Sequence, residues 1–95
     1  LFRIKRSKIR VMIKSDSKVL IYSTSWCGPC ANAKRLLTEN GISFKEIDIE
    51  DEDMTRDDLF EITGGRTVPQ IVVDGKTIGG YTDLVELDSN GLLIS

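Results

Sequence analysis

Apolar residues along this chain fall into short blocks whose spacing switches between strand-like and helix-like periods. Val19-Leu20-Ile21-Tyr22 is an unbroken apolar run within Lys18 to Ser23. A run so short and continuous predicts a strand covered on both faces, near the centre of a sheet. From Cys30 to Asn40 the period changes. Ala33, Leu36 and Leu37 recur at helical spacing, with Lys34, Arg35 and Glu39 on the other side, which predicts an amphipathic helix. Asn40-Gly41 stops it, since glycine suits the left-handed position after a helix. Ile42 to Asp48 alternates, with Ile42, Phe44 and Ile47 apolar. This predicts a second strand, parallel to the first across a helical crossover, in a right-handed βαβ unit.

The second half repeats the alternation with different connections. A helix is predicted over Met54 to Thr63, after the acidic run Glu50-Asp51-Glu52-Asp53. Carboxylates there suit the positive end of a helix. A solvated helix start fits the run better than a cation site, for which spacing and ligand variety are poor. Gly64-Gly65 ends the helix, and Arg66-Thr67-Val68-Pro69 leads into a strand over Gln70 to Val73. Asp74-Gly75 predicts a two-residue hairpin turn, with Lys76 to Ile78 as the partner strand. After Gly79-Gly80 comes a last helix, Tyr81 to Asn90, with Thr82 or Asp83 as its cap and Leu84, Val85 and Leu87 turned to the core. Gly91 stops it and Leu92 to Ile94 tucks back as a tail. The order is βαβαββα: an α/β layer structure with one parallel and one antiparallel half, without internal repeats or a linker.

Charge divides the chain unevenly. The 95 residues carry a net charge of −2, and that length predicts one small domain. Residues 1–17 hold six Lys/Arg and one Asp, whereas the remainder holds seven basic and fourteen acidic residues. The leader LFRIKRSKIRVMIK reads as an upstream extension with Met12 as a natural start, as an extra edge strand, or as a basic arm for an acidic partner. The first reading is preferred, so residues 1–17 are taken as a basic N-terminal extension and 18–95 as the domain. An acidic body argues against nucleic-acid binding. No apolar run is long enough to cross a bilayer, and the basic start lacks the features of a signal peptide. Two cysteines are too few for a secreted disulfide framework. The expectation is a cytoplasmic monomer whose cysteine pair is catalytic or metal-binding.

Both cysteines lie in Ser25-Trp26-Cys27-Gly28-Pro29-Cys30, between the first strand and the first helix. A strand, Cys-x-x-Cys and a helix form the layout of a thiol–disulfide redox site. Cys27 falls just before the helix N-terminus, where unpaired N–H groups and the helix dipole stabilise a thiolate. Cys30 falls one turn further in, within reach as the resolving thiol. Gly28 permits the turn, and Pro29 suits an early helix position where its missing N–H is no loss. Trp26 is placed to wall the site and shield Cys30 from water. Zinc would need four ligands, or three plus water, and the chain has two cysteines and no histidine. Redox use is therefore favoured over a metal site or a pair of inert core thiols.

Further motifs narrow the class. The run TGGRTVPQIVVDGKTIGGYTDLVEL, from Thr63 to Leu87, together with YSTSWC, resembles the glutaredoxin pattern over about Lys18 to Leu93. The resemblance implies a thioredoxin-like fold, with a four-stranded mixed sheet flanked by helices and a cis peptide before Pro69. It implies a thiol–disulfide oxidoreductase with glutathione as co-substrate, bound along a groove. Thr67 and Val68, beside Pro69, would contact the cysteinyl backbone of glutathione. Gly80, Thr82 and Asp83 would hold its γ-glutamyl end, and Arg66 would attract its glycyl carboxylate. Two positions depart from the family. Thr24 stands where many glutaredoxins have lysine, and Pro29 where they have an aromatic residue, so that WCGPC is a thioredoxin-type loop.

Substrates implied are disulfide-containing or glutathionylated proteins. Two alternatives remain beside this reading. One is a glutaredoxin-like donor that takes electrons from thioredoxin reductase and serves ribonucleotide reductase. The other is a carrier of a [2Fe–2S] cluster ligated by Cys27 and glutathione.

Overall fold

The structure, a computed structural model, describes residues 12–94. The leader up to residue 11 lies outside the described residues. The elements are β1 (Ile13–Lys14), β2 (Val19–Ser23), α1 (Gly28–Glu39), β3 (Lys45–Asp48), α2 (Arg56–Thr63), β4 (Gln70–Val73), β5 (Lys76–Gly79), α3 (Tyr81–Ser89) and β6 (Leu93–Ile94). Four strands form one mixed sheet in the order β3-β2-β4-β5. β2 runs parallel to β3 and antiparallel to β4, and β4 and β5 form an antiparallel hairpin. This is the sheet that the sequence implies, with β2 at its centre.

The alternation of side chains along β2 and β4 builds a core on each face. Val19 and Ile21 of β2 and Ile71 and Val73 of β4 pack with Ala33 and Leu37 of α1 and with Leu84 and Leu87 of α3. On the opposite face, Tyr22 and Val72 pack with Leu59 of α2 and Ile49, with Leu20 and Val68 beside them. Two helices therefore cover one face and one helix the other. The Asp74-Gly75 turn has φ of 50° and 84°, the positive values that a tight two-residue hairpin requires. Asp74 also ties the turn to β2: its carboxylate accepts the Lys18 N–H at 2.8 Å.

Several local expectations are corrected. Ile13 and Lys14, which the sequence groups with the basic leader, form a parallel pair with Leu93 and Ile94. Ile13 is fully buried in the core beneath α1 and α3. The tail over Leu92–Ile94 is thus a strand partner. β3 begins at Lys45 rather than Ile42, although Ile42 is buried. α2 begins at Arg56 because Thr55 caps it: the Thr55 hydroxyl accepts the Asp58 N–H and the Asp58 carboxylate accepts the Thr55 N–H, each at 3.0 Å. That reciprocal pair is a capping box. α3 is capped at Gly80, not at Thr82 or Asp83, with Asp83 reaching back to accept the Gly80 N–H at 2.9 Å. Val85 faces outward, 37% exposed, whereas Leu84 and Leu87 of that helix are buried in the core.

One polar cluster stitches α1 to the sheet. Glu46 of β3 accepts from the Ser23 hydroxyl at 2.6 Å and pairs with Lys34 of α1 at 2.8 Å. Hydrogen bonding from Lys34 and then from Ser23 holds the Glu46 carboxyl below its ordinary value of 4.5. The fold therefore favours ionised Glu46. Its contribution to stability is present above the ordinary value and is lost as acid takes the pH below it.

Truncating Ile13 to Ala should cost about 2–5 kcal/mol of unfolding free energy, measured by urea denaturation. A loss near zero would place Ile13 outside the cooperative core. Glu46→Gln should lower the thermal midpoint at pH 7, and the difference from the parent should shrink as the pH falls below 4 to 5. A difference that is constant from pH 7 to pH 3 would contradict the ionic role of Glu46.

Candidate active site

The site begins at the end of β2. Ser23 and Thr24 are buried there, and the chain then turns outward through Ser25 and Trp26. Cys27 takes an extended conformation as the N-cap of α1, and Pro29 occupies the first turn of the helix, as the sequence predicts. The Cys27 Sγ accepts the Cys30 backbone N–H at 3.1 Å. A sulfur at that position meets one of the free N–H groups of the first helical turn, where negative charge is favoured. Cys27 and Cys30 are joined as a disulfide, with their Cα atoms 5.2 Å apart. Cys27 is half-buried while Cys30 is fully buried. Cys27 is thus the more exposed residue of the pair and Cys30 the enclosed one.

A second loop meets the first. The Val68–Pro69 peptide bond is cis, and the Val68 carbonyl oxygen lies 3.7 Å from the Cys27 Sγ. Pro69 is buried, and Val68 is half-buried against the α2 side of the core. From this loop a groove of about 690 Å³ extends past Pro29, Thr67, Val68 and Pro69 to Gly80, Thr82 and Asp83. Gly80 is close to the loop: a Cβ there would stand 3.3 Å from the Pro69 carbonyl oxygen. Gly79, at φ 113°, would drive a side chain into the Asp83 carboxylate. Gly80 thus lets the start of α3 approach the cis-proline loop, and Gly79 leaves room for Asp83 to fold back on the helix start.

Not every predicted residue reaches the groove. Arg66 points away from it. Its guanidinium pairs with Asp57 at 3.3 Å and lies 4.1 Å above the Phe60 ring. Trp26 does not screen Cys30. It is 66% exposed, and its indole N–H is directed at the Glu50 carboxylate, 3.3 Å from each oxygen. Thr24, at the position where lysine is common in the family, is buried, and its hydroxyl has no partner among the described residues. Sequence reasoning missed Gln70 and Tyr81, which also line the groove. Gln70 followed the proline in a strand pattern and carried no separate signal. Among the described residues, no three His, Cys, Asp or Glu side chains converge to hold a metal ion.

A mixed sheet with helices on both faces, a Cys-x-x-Cys pair at a helix N-terminus and a cis-proline loop against the first cysteine define a thioredoxin-like thiol–disulfide oxidoreductase. A family model described as Glutaredoxin matches residues 19–78. Glutaredoxin 3 of Escherichia coli (strain K12) is 40% identical over 75 residues, which cover 79% of this chain and 90% of that protein. Glutaredoxin of Pseudomonas aeruginosa is likewise 40% identical over 75 residues, 79% of this chain and 89% of its own. Among solved structures, the buckwheat glutaredoxin–glutathione complex superposes with a TM-score of 0.73 at 30% identity, covering 83% of this chain and 74% of that one. Holo glutaredoxin C1 from Populus tremula x tremuloides gives 0.74 at 34%, covering 83% and 81%. The chain belongs to the glutaredoxin family, whose members are thiol–disulfide oxidoreductases.

The difference in exposure predicts a selective modification. After reduction, limiting iodoacetamide should alkylate Cys27 well before Cys30, as read by peptide mass spectrometry. Label found first on Cys30 would reverse the two roles.

Proposed function

We propose that this protein is a glutathione-dependent reductase of protein disulfides and of glutathionylated protein thiols. The observation that carries the reading is a groove that reaches the residue next to the Cys27 sulfur. It starts at Val68, whose carbonyl oxygen stands 3.7 Å from the Cys27 Sγ, and ends at the N-terminus of α3. A tripeptide thiol laid along it would place its own sulfur at Cys27. Its central backbone would lie against Thr67 and Val68, and its γ-glutamyl carboxylate near Gly80, Thr82 and Asp83. Free N–H groups at a helix start favour such an anion. The buckwheat glutaredoxin, to which this chain is similar, is described as a complex with glutathione. Arg66 has a smaller part in this scheme than its sequence position implies, because Asp57 and Phe60 already engage it.

In the dithiol route, the Cys27 thiolate attacks one sulfur of a substrate disulfide. A Cys27–substrate mixed disulfide forms and the other substrate sulfur leaves as a thiolate. Cys30, once deprotonated, attacks the Cys27 sulfur, expels the second substrate thiolate and leaves the Cys27–Cys30 disulfide. Two glutathione molecules then supply the two electrons that restore both thiols, giving oxidised glutathione. In the monothiol route, Cys27 attacks the glutathione sulfur of a glutathionylated protein and releases the protein thiolate. A second glutathione, as its thiolate, then attacks the glutathione sulfur of the resulting Cys27–glutathione bond, giving oxidised glutathione and expelling the Cys27 thiolate. Attack requires the thiolate in each step, and the Cys30 N–H beside the Cys27 Sγ favours that form.

Cys27→Ser should abolish turnover in both assays, whereas Cys30→Ser should lose reduction of protein disulfides and keep deglutathionylation. Turnover should be followed by NADPH oxidation, with glutathione plus glutathione reductase compared against thioredoxin reductase as the electron source. Turnover with thioredoxin reductase alone would overturn the glutathione-dependent reading in favour of a thioredoxin-reductase-coupled donor.

A further inference from the structure

The segment Gly65–Pro69 is neither helix nor strand, yet it must present a defined backbone to whatever lies in the groove. Two side chains from neighbouring elements grip successive carbonyls in it. Arg56, at the start of α2, donates from Nη1 to the Arg66 carbonyl at 3.1 Å. Gln70, at the start of β4, donates from Nε2 to the Thr67 carbonyl at 3.0 Å. Gln70 is itself buried, with 6% of its surface exposed. Burying an amide costs free energy unless its polar atoms are paired, so the bond to Thr67 fits both partners.

The second bond matters for ligand geometry. The Thr67 carbonyl and the Val68 N–H belong to one peptide unit, which is planar and trans, so the two groups point in opposite directions. Fixing the carbonyl fixes the N–H. The Val68 N–H has no acceptor among the described residues, and Val68 lines the groove beside Cys27. Gly65 belongs to the same device. A Cβ at Gly65 would collide with the Gln70 amide, and the backbone there is not in the left-handed region. The constraint at that position is therefore one of space rather than conformation, since a side chain there would displace the Gln70 amide.

We infer that Gln70 is a positioning residue for ligand binding. It orients the Thr67–Val68 peptide so that the Val68 N–H is free to pair with the backbone of an extended peptide thiol, and Gly65 leaves the room that this requires. The inference rests on the reading of the groove as a glutathione site. It assigns no part in the chemical step to Gln70.

The test uses the full chain and a short peptide carrying a glutathione mixed disulfide, with Gln70→Leu and Gly65→Ala as variants. Loss of one oriented hydrogen bond should raise KM for this peptide by roughly five-fold. The kcat and the rate of Cys27 alkylation by iodoacetamide should stay within about two-fold of the parent, since ligand binding is weakened but the reacting sulfur is not. Backbone order parameters for the Thr67 and Val68 amides should fall in both variants. Unchanged KM and order parameters would overturn the inference, as would a loss confined to kcat. If Gln70→Leu fails to fold, Gly65→Ala carries the test, because it keeps the glutamine and displaces it. If the parent shows no saturation with the glutathionylated peptide, the glutathione reading falls, and the order parameters still decide whether Gln70 holds the loop.

Discussion

Burial of β2 on both faces is the constraint on which the rest of this molecule depends. Val19 and Ile21 look toward α1 and α3, while Leu20 and Tyr22 look toward α2. A strand enclosed in this way has one register, because a slip of one residue would exchange its two cores. β3 and β4 pair along its two edges. The end of β2 is therefore fixed in space, and the chain leaving it must enter α1 within a few residues. Cys27 sits at that transition. Its sulfur meets the Cys30 N–H because the strand, the turn and the helix start are held together by packing on both sides.

The same sheet brings in the second half of the site. β4 pairs antiparallel with β2, with Gln70 opposite Tyr22. The residues just before β4 consequently arrive beside the residues just after β2. That is why Val68, 41 positions from Cys27 in sequence, has its carbonyl within 3.7 Å of the sulfur. The β4–β5 hairpin and the Gly79-Gly80 bend then carry the chain to the start of α3, next to Pro69. One groove results from three loops, each anchored to a strand of the same sheet.

Much of this was legible in the chain itself. Apolar periodicity located the principal strands and helices, and the Asp74-Gly75 turn showed the hairpin. The Cys-x-x-Cys spacing at a strand–helix junction gave the chemistry, and the motifs around Thr67–Pro69 and Gly79–Asp83 gave the family. The side chains that lie elsewhere than expected share one cause. Trp26, Arg66 and Val85 have side chains whose direction depends on what stands opposite them. Glu50 draws Trp26 outward, Asp57 and Phe60 hold Arg66, and the core encloses Leu84 and Leu87 of α3 but leaves Val85 outside. The start of α3 falls at Tyr81 as expected, but those of α1 and α2 were each missed by two residues, because a cap is a local hydrogen bond that periodicity does not encode. The place of Ile13 was not decided by its neighbours in sequence because its partner, Leu93, lies at the other end of the chain.

The sequence alone located the cysteine pair, since two thiols and a helix N-terminus are set within four consecutive positions by local preferences. It also determined the order of elements, because periodicity is a property of neighbours. Only the tertiary structure decided what surrounds the sulfur. The approach of Val68, the enclosure of Cys30, the diversion of Arg66 and the grip of Gln70 on Thr67 all arise where elements meet. Strand pairing and side-chain packing set those meetings, and neither is written in the spacing of one segment.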